Sequence, residues 1–167
     1  MTQPITIPAR LAKRPMFKGM PIPVTTFVDA SGLPDFKIND SHQWQRCVIG
    51  KLCALCGESL EYYSWFIGGP GQLEHHTFVD SPMHEGCARY AAAVCPFIAY
   101  GRGYANHVKG YEGTIVDELA PAETLTNPKT MYLMKVRRDS VKPFIEEGRA
   151  FLRTGGFLAV EEIARHR

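Results

Sequence analysis

An α+β fold is predicted by three features of this 167-residue chain. Cys53-Ala54-Leu55-Cys56-Gly57 is a tight turn carrying two thiols three positions apart. Tyr62-Tyr63-Ser64-Trp65-Phe66-Ile67 is an aromatic, β-prone run. Met83 to Cys95 contains no helix breaker and carries His84 and Cys87 on one face of its first turn. Strand-like runs flank this centre on both sides, so the whole reads as a compact core with β-rich flanks.

Taken in order, residues 1–20 read as an irregular basic arm, because Pro4, Pro8 and Pro15 prevent a long helix. Residues 21–167 then form a single compact domain. Its first strand covers 21–28, with Pro21 and Pro23 placing the start at a sheet edge. Ser31-Gly32-Leu33-Pro34 is a turn, and 36–38 a second short strand. Asp40 or Ser41 caps a brief helical turn through Trp44. The 62–67 strand ends at Gly68-Gly69-Pro70-Gly71, a turn that returns 74–78 as its hairpin partner. Ser81 is the N-cap and Pro82 the first residue of the 83–95 helix, and Pro96 stops it. The Gly-rich stretch 99–128 is the most mobile part. Strands follow at 131–136 and 149–153, then a short helix at 157–164.

Composition sets the bounds. Hydrophobic residues make up 45% of the chain and charged residues 22%, enough for a core that does not depend wholly on a metal. No apolar run approaches the ~18 residues that span a bilayer, and the N-terminus lacks the apolar stretch of a signal peptide. A soluble, cytoplasmic protein with no membrane partner is therefore expected. Net charge is +2 but uneven: residues 1–28 carry +4, residues 29–134 carry −5 and residues 135–167 carry +3.

Five cysteines cannot all pair with one another, and their clustering points to metal rather than to disulfides. Zinc takes four thiolate or imidazole ligands in a tetrahedron. The turn at 53–57 supplies Cys53 and Cys56, with Gly57 free to adopt the left-handed backbone such a turn needs. His84 and Cys87 supply the second pair from a helix N-terminus, which favours thiolate. One structural Zn²⁺ held by Cys53, Cys56, His84 and Cys87 is expected. Knuckle, hairpin and helix in that order form a treble-clef-like core at 44–98. Cys47, six residues before Cys53, is either a core thiol or a substitute ligand, and Cys95 is read as core.

The same segments resemble a group of uncharacterised phage, prophage and bacterial small proteins. The residues that carry the likeness are Cys53-Ala54-Leu55-Cys56-Gly57, Phe66-Ile67-Gly68-Gly69-Pro70, Pro82-Met83-His84-Glu85-Gly86-Cys87-Ala88-Arg89-Tyr90-Ala91 and Cys95-Pro96-Phe97. The resemblance covers roughly 44–98. It implies the same four ligands and a phage setting inside a bacterial host cell, and it brings no activity.

Two classes of function compete. A metal-dependent nuclease of the HNH type would use His75 or His76 to activate water beside a catalytic metal. Only seven residues separate His76 from His84, and four protein ligands close a zinc site to water. A non-catalytic binding module is therefore expected. Nucleic acid would meet Arg10, Lys13, Arg14, Lys18, Arg137 and Arg138. A protein partner, met through alternate members of the 62–66 aromatic run, is slightly favoured because the centre of the chain is acidic. A host-directed inhibitor is the form such a module would take in a phage.

Overall fold

The computed structural model describes residues 4–99 and 128–165, a mixed α+β arrangement of short helices and four small sheets. In chain order the elements are α1 (Ala9–Ala12), β1 (Met16–Phe17), β2 (Met20–Pro21), β3 (Thr26–Val28), β4 (Pro34–Asn39) and α2 (Ser41–Gly50). There follow β5 (Tyr63–Gly68), α3 (Pro70–His75), β6 (Thr77–Phe78), α4 (Glu85–Val94) and α5 (Pro96–Ala99). Beyond residue 127 come β7 (Tyr132–Arg137), a 3₁₀ turn (Arg138–Ser140), β8 (Lys142–Glu146), β9 (Arg149–Arg153) and β10 (Ala159–Glu162). Among the described residues no helix is long and apolar enough to cross a membrane. The loop and turn expected within 99–127 fall almost wholly outside them.

The sheet β10-β7-β5 separates two cores. Side chains alternate across a strand, so Trp65, Met131 and Leu133 face one side and Phe66, Met134 and Val136 the other. The first side packs against Cys53, Cys56, Leu60, Met83, Cys87, Ala88 and Tyr90. The second packs against Trp44 of α2, Phe78 of β6 and Leu152 of β9. Phe66 is fully buried and stacks on Phe78 at 4.1 Å, so truncating it to alanine costs about 3–5 kcal/mol.

Several boundaries differ from the sequence reading, each for a physical reason. Residues 9–21 are not irregular: they form α1 and the β1–β2 ribbon, and Leu11 is buried in the first core. Asp40 does cap α2, accepting from the amides of His42 and Gln43, but the helix runs on to Gly50. The expected return strand at 74–78 does not pair with β5. Gly69-Pro70 instead opens α3, with the Gln72 side chain accepting the Gly69 amide at 2.8 Å. β5 takes β7 as its partner, and β6 joins β9.

α4 begins at Glu85 rather than near Ser81. Met83 and Trp65 exchange two backbone hydrogen bonds of 2.9 Å, and the Pro82 carbonyl accepts the Ala54 amide. These cross-chain bonds claim the groups that an earlier helix start would use. The 157–164 helix is absent; that segment is β10, which satisfies the second edge of β7. β8 escaped notice because Pro143 disguises it, yet Pro is tolerated here since β8 lies at the edge of the β6-β9-β8 sheet.

Candidate metal centre

The knuckle is a tight loop closed by an antiparallel bridge between Leu52 and Ser59. The Cys53 amide donates to the Glu58 carbonyl at 2.8 Å, and the Gly57 amide to the Cys53 carbonyl at 2.9 Å. Gly57 sits at φ +76°, the left-handed conformation expected of it, and that backbone rather than any lack of space favours glycine there. Residues 24 and 25 brace the loop through amide bonds to the Leu55 and Ala54 carbonyls. On the other side His84 is the N-cap of α4, and Cys87 lies in its first turn.

The ligand atoms of Cys53, Cys56, His84 and Cys87 all lie within 4.8 Å of one another, so the four can hold a metal ion. None is more than 8% exposed. The Glu58 amide points at Cys56 Sγ (3.4 Å) and the His84 amide at Cys53 Sγ (3.5 Å), contacts that favour thiolate. Cys56 and Cys87 hold the Cys53 thiol well below the usual range, while Cys53 and Cys56 hold Cys87 well above it. The cluster thus resists carrying three uncompensated thiolates, and a cation removes that conflict.

His84 presents Nδ1 to the cluster, 3.3 Å from Cys56 Sγ. Its Nε2 lies 2.8 Å from the Ser59 carbonyl and 3.0 Å from Arg10 Nη1. The last two contacts are alternatives, because a carbonyl needs Nε2–H and a guanidinium needs a bare nitrogen. Metal on Nδ1 leaves the proton on Nε2, where it donates to Ser59 and fixes the ring. Arg10 then stands beside the site, held by Glu58 at 3.4 Å and Glu61 at 2.8 Å.

The other candidates lie elsewhere. Cys47 is buried, its Sγ 3.9 Å from the Cys53 carbonyl, and burial pushes its thiol up to about 11. Cys95 follows the end of α4, its thiol also raised by burial. Neither joins the four-residue group. His75 and His76 are not on a strand: His75 ends α3 and His76 is its left-handed C-cap. The His76 ring stacks on Phe157 at 4.3 Å, and Nδ1 lies 3.1 Å from the Gly155 carbonyl. Among the described residues the Cys53–Cys56–His84–Cys87 group alone assembles three or more ligands.

Most of the proposed phosphate-binding cations have partners within the chain. Arg10 and Lys13 pair with Glu58 or Glu61, Arg14 donates to the Ile22 carbonyl, and Arg138 to the Leu60 carbonyl. Lys18 lies over Phe17. Sequence reasoning missed the roles of Arg10, Leu11 and the Ser59 carbonyl at the metal centre. No motif marks them: Arg10 and Leu11 come from a segment 40 and more positions before the knuckle, and the Ser59 carbonyl meets a ring 25 positions on. The chain matches no protein-family model, no curated protein and no solved structure at a significant level.

Proposed function

We propose that this chain is a zinc-stapled, non-catalytic binding module. The carrying observation is that four buried protein side chains converge on one point, which leaves no coordination position for water or substrate. Three thiolates and one imidazole form a soft donor set that suits zinc. A tetrahedral ion with Zn–S bonds of ~2.3 Å places its donors ~3.8 Å apart, within the spread of these four. Bound zinc would supply folding free energy and no reaction step.

The core is treble-clef-like in this reading, with one change of plan. The return arm of the β5 hairpin is Met83, bonded to Trp65, and α3 and β6 are inserted between them. An HNH-type nuclease gains no support from His75 and His76, whose surroundings are a helix end and Phe157. A protein partner would meet this module through alternate, outward-facing members of the 62–66 aromatic run. Trp65 and Phe66 are both buried, however, and the exposed Tyr62 and Tyr63 share their surface with cations. The phage setting, the host-cell location and the role of inhibitor rest on the motif resemblance.

Elemental analysis of protein purified without chelator tests the reading. One zinc per chain is expected, with three sulfurs and one nitrogen in the X-ray absorption spectrum. Four sulfurs, or an open position carrying water, would overturn it.

A further inference from the structure

The register of the β10-β7-β5 sheet sets Tyr63 opposite Arg137, Trp65 opposite Lys135 and Lys135 opposite Ala159. Residues directly opposite share a face, so these five form one surface. The inner half of that face, at Ile67 and Leu133, is covered by the metal-site core. The outer half is open: Tyr63 is 44% exposed, and Arg137 and Ala159 are exposed. Tyr62, 56% exposed, meets Tyr63 edge-on at 4.8 Å. Lys135 Nζ lies 4.2 Å from the centre of the Tyr63 ring and 6.0 Å from that of Trp65.

Two cations of this ledge lack acidic partners among the described residues, unlike those beside them. Neighbouring cations are matched: Arg89 forks onto Glu161 and reaches Glu85, and Arg138 pairs with Asp139. Among the described residues, neither Lys135 nor Arg137 has a carboxylate within ion-pair distance. Two cations without a carboxylate partner therefore stand beside the exposed ring of Tyr63, with that of Tyr62 against it at the start of β5.

Resting on the binding-module reading, we propose that this ledge binds single-stranded nucleic acid, its bases stacking on Tyr63 and Tyr62 and its phosphates met by Lys135 and Arg137. A base has a π-face for each ring, and the strand supplies a phosphate at every step. A duplex hides its base faces, and this surface offers no projecting helix or ribbon to enter a groove. An acidic peptide would satisfy the cations but leave the rings in water. On binding, Lys135 exchanges its place over Tyr63 for a phosphate, so the ring and the cation act together.

The test is fluorescence anisotropy of labelled oligothymidylate and oligouridylate titrated with the full zinc-loaded chain at low ionic strength. A duplex oligonucleotide and polyglutamate are the competitors. Single strands are expected to bind, with affinity falling as salt rises, and the duplex to compete poorly. Tyr63→Ala should weaken binding about 5-fold or more. Lys135→Gln and Arg137→Gln should each flatten the salt dependence, by about 0.7 in the log–log slope. Lys13→Gln, whose charge is already paired, should change neither. Circular dichroism and zinc content confirm that each variant is folded. No binding by the folded chain, or equal binding by Tyr63→Ala, would overturn the ledge. Stronger competition by polyglutamate would also overturn it while leaving the module reading standing. Zinc-dependent cleavage of the oligonucleotide would instead overturn the module reading.

Discussion

Replacing Cys56 by serine removes one arm of the proposed staple, and the structure sets how far the damage should spread. Cys56 and His84 are 28 positions apart, so the ion closes a loop of about that length. A cross-link of this span restricts the unfolded chain by roughly 3–4 kcal/mol in the chain-entropy treatment. Structural zinc sites supply on the order of 10 kcal/mol of apparent binding energy, comparable with the whole ~5–15 kcal/mol stability of a domain. Global unfolding would follow if the staple were alone. It is not: Trp44, Phe66, Phe78, Met134, Val136 and Leu152 form a second core that includes none of the four proposed ligands. Burying large apolar side chains contributes roughly 1.5–3 kcal/mol each, about as much as the staple removes. Loss should therefore stay local. Hydrogen exchange on Cys56→Ser is expected to show deprotection of 52–60, 83–94 and 9–12, while β7 and β9 keep their protection. Cys95→Ser, outside the ligand group, should leave the same amides protected. Equal deprotection in both variants, or collapse of β9 along with α4, would refute the two-core argument.

Arg10→Gln removes a cation beside a site with three thiolates, so metal affinity should fall, but by less than the about 10-fold at which loss of a bonded outer partner begins, because Ser59 and not Arg10 holds the metal-bound ring. Competition against a chromophoric chelator measures it, and unchanged affinity would show that Arg10 only pairs with Glu58 and Glu61. His76→Ala should leave zinc content and nucleic-acid binding unchanged and cost about 0.5–1.5 kcal/mol in denaturant unfolding through the lost stack on Phe157. The Arg89 guanidinium holds the Glu161 carboxyl below its ordinary value of 4.5. A depressed folded-state pKa gives stability that is in force above 4.5 and is lost as pH falls through the lowered value. Glu161→Gln should thus melt earlier than the parent chain at neutral pH, by a small margin because the pair is exposed, and the gap should close on acidification. Comparing both chains at each pH cancels the acid release of metal they share. A gap that persists below pH 3, a value chosen as roughly a unit and a half under the ordinary carboxylate, would count against the ion pair.

The proximity of Cys53, Cys56, His84 and Cys87 was legible in the sequence because each pair is set locally. The turn at 53–57 places two thiols together whatever surrounds it, and helix spacing does the same for His84 and Cys87. The strands β7 and β9 were legible for a similar reason, as runs of β-prone residues at 131–136 and 149–153. Asp40 could be read as a cap because its carboxylate reaches amides two and three positions on. Partnership is another matter. Only the folded chain decides that β5 pairs with β7 and not with the 74–78 segment, that residues 159–162 extend along the free edge of β7, and that the N-terminal cations turn inwards onto Glu58 and Glu61. Each of those outcomes depends on backbone groups or charges far apart along the chain. Local propensity is worth a few tenths of a kcal/mol per residue, and leaving the backbone groups of a buried strand edge unpaired costs more.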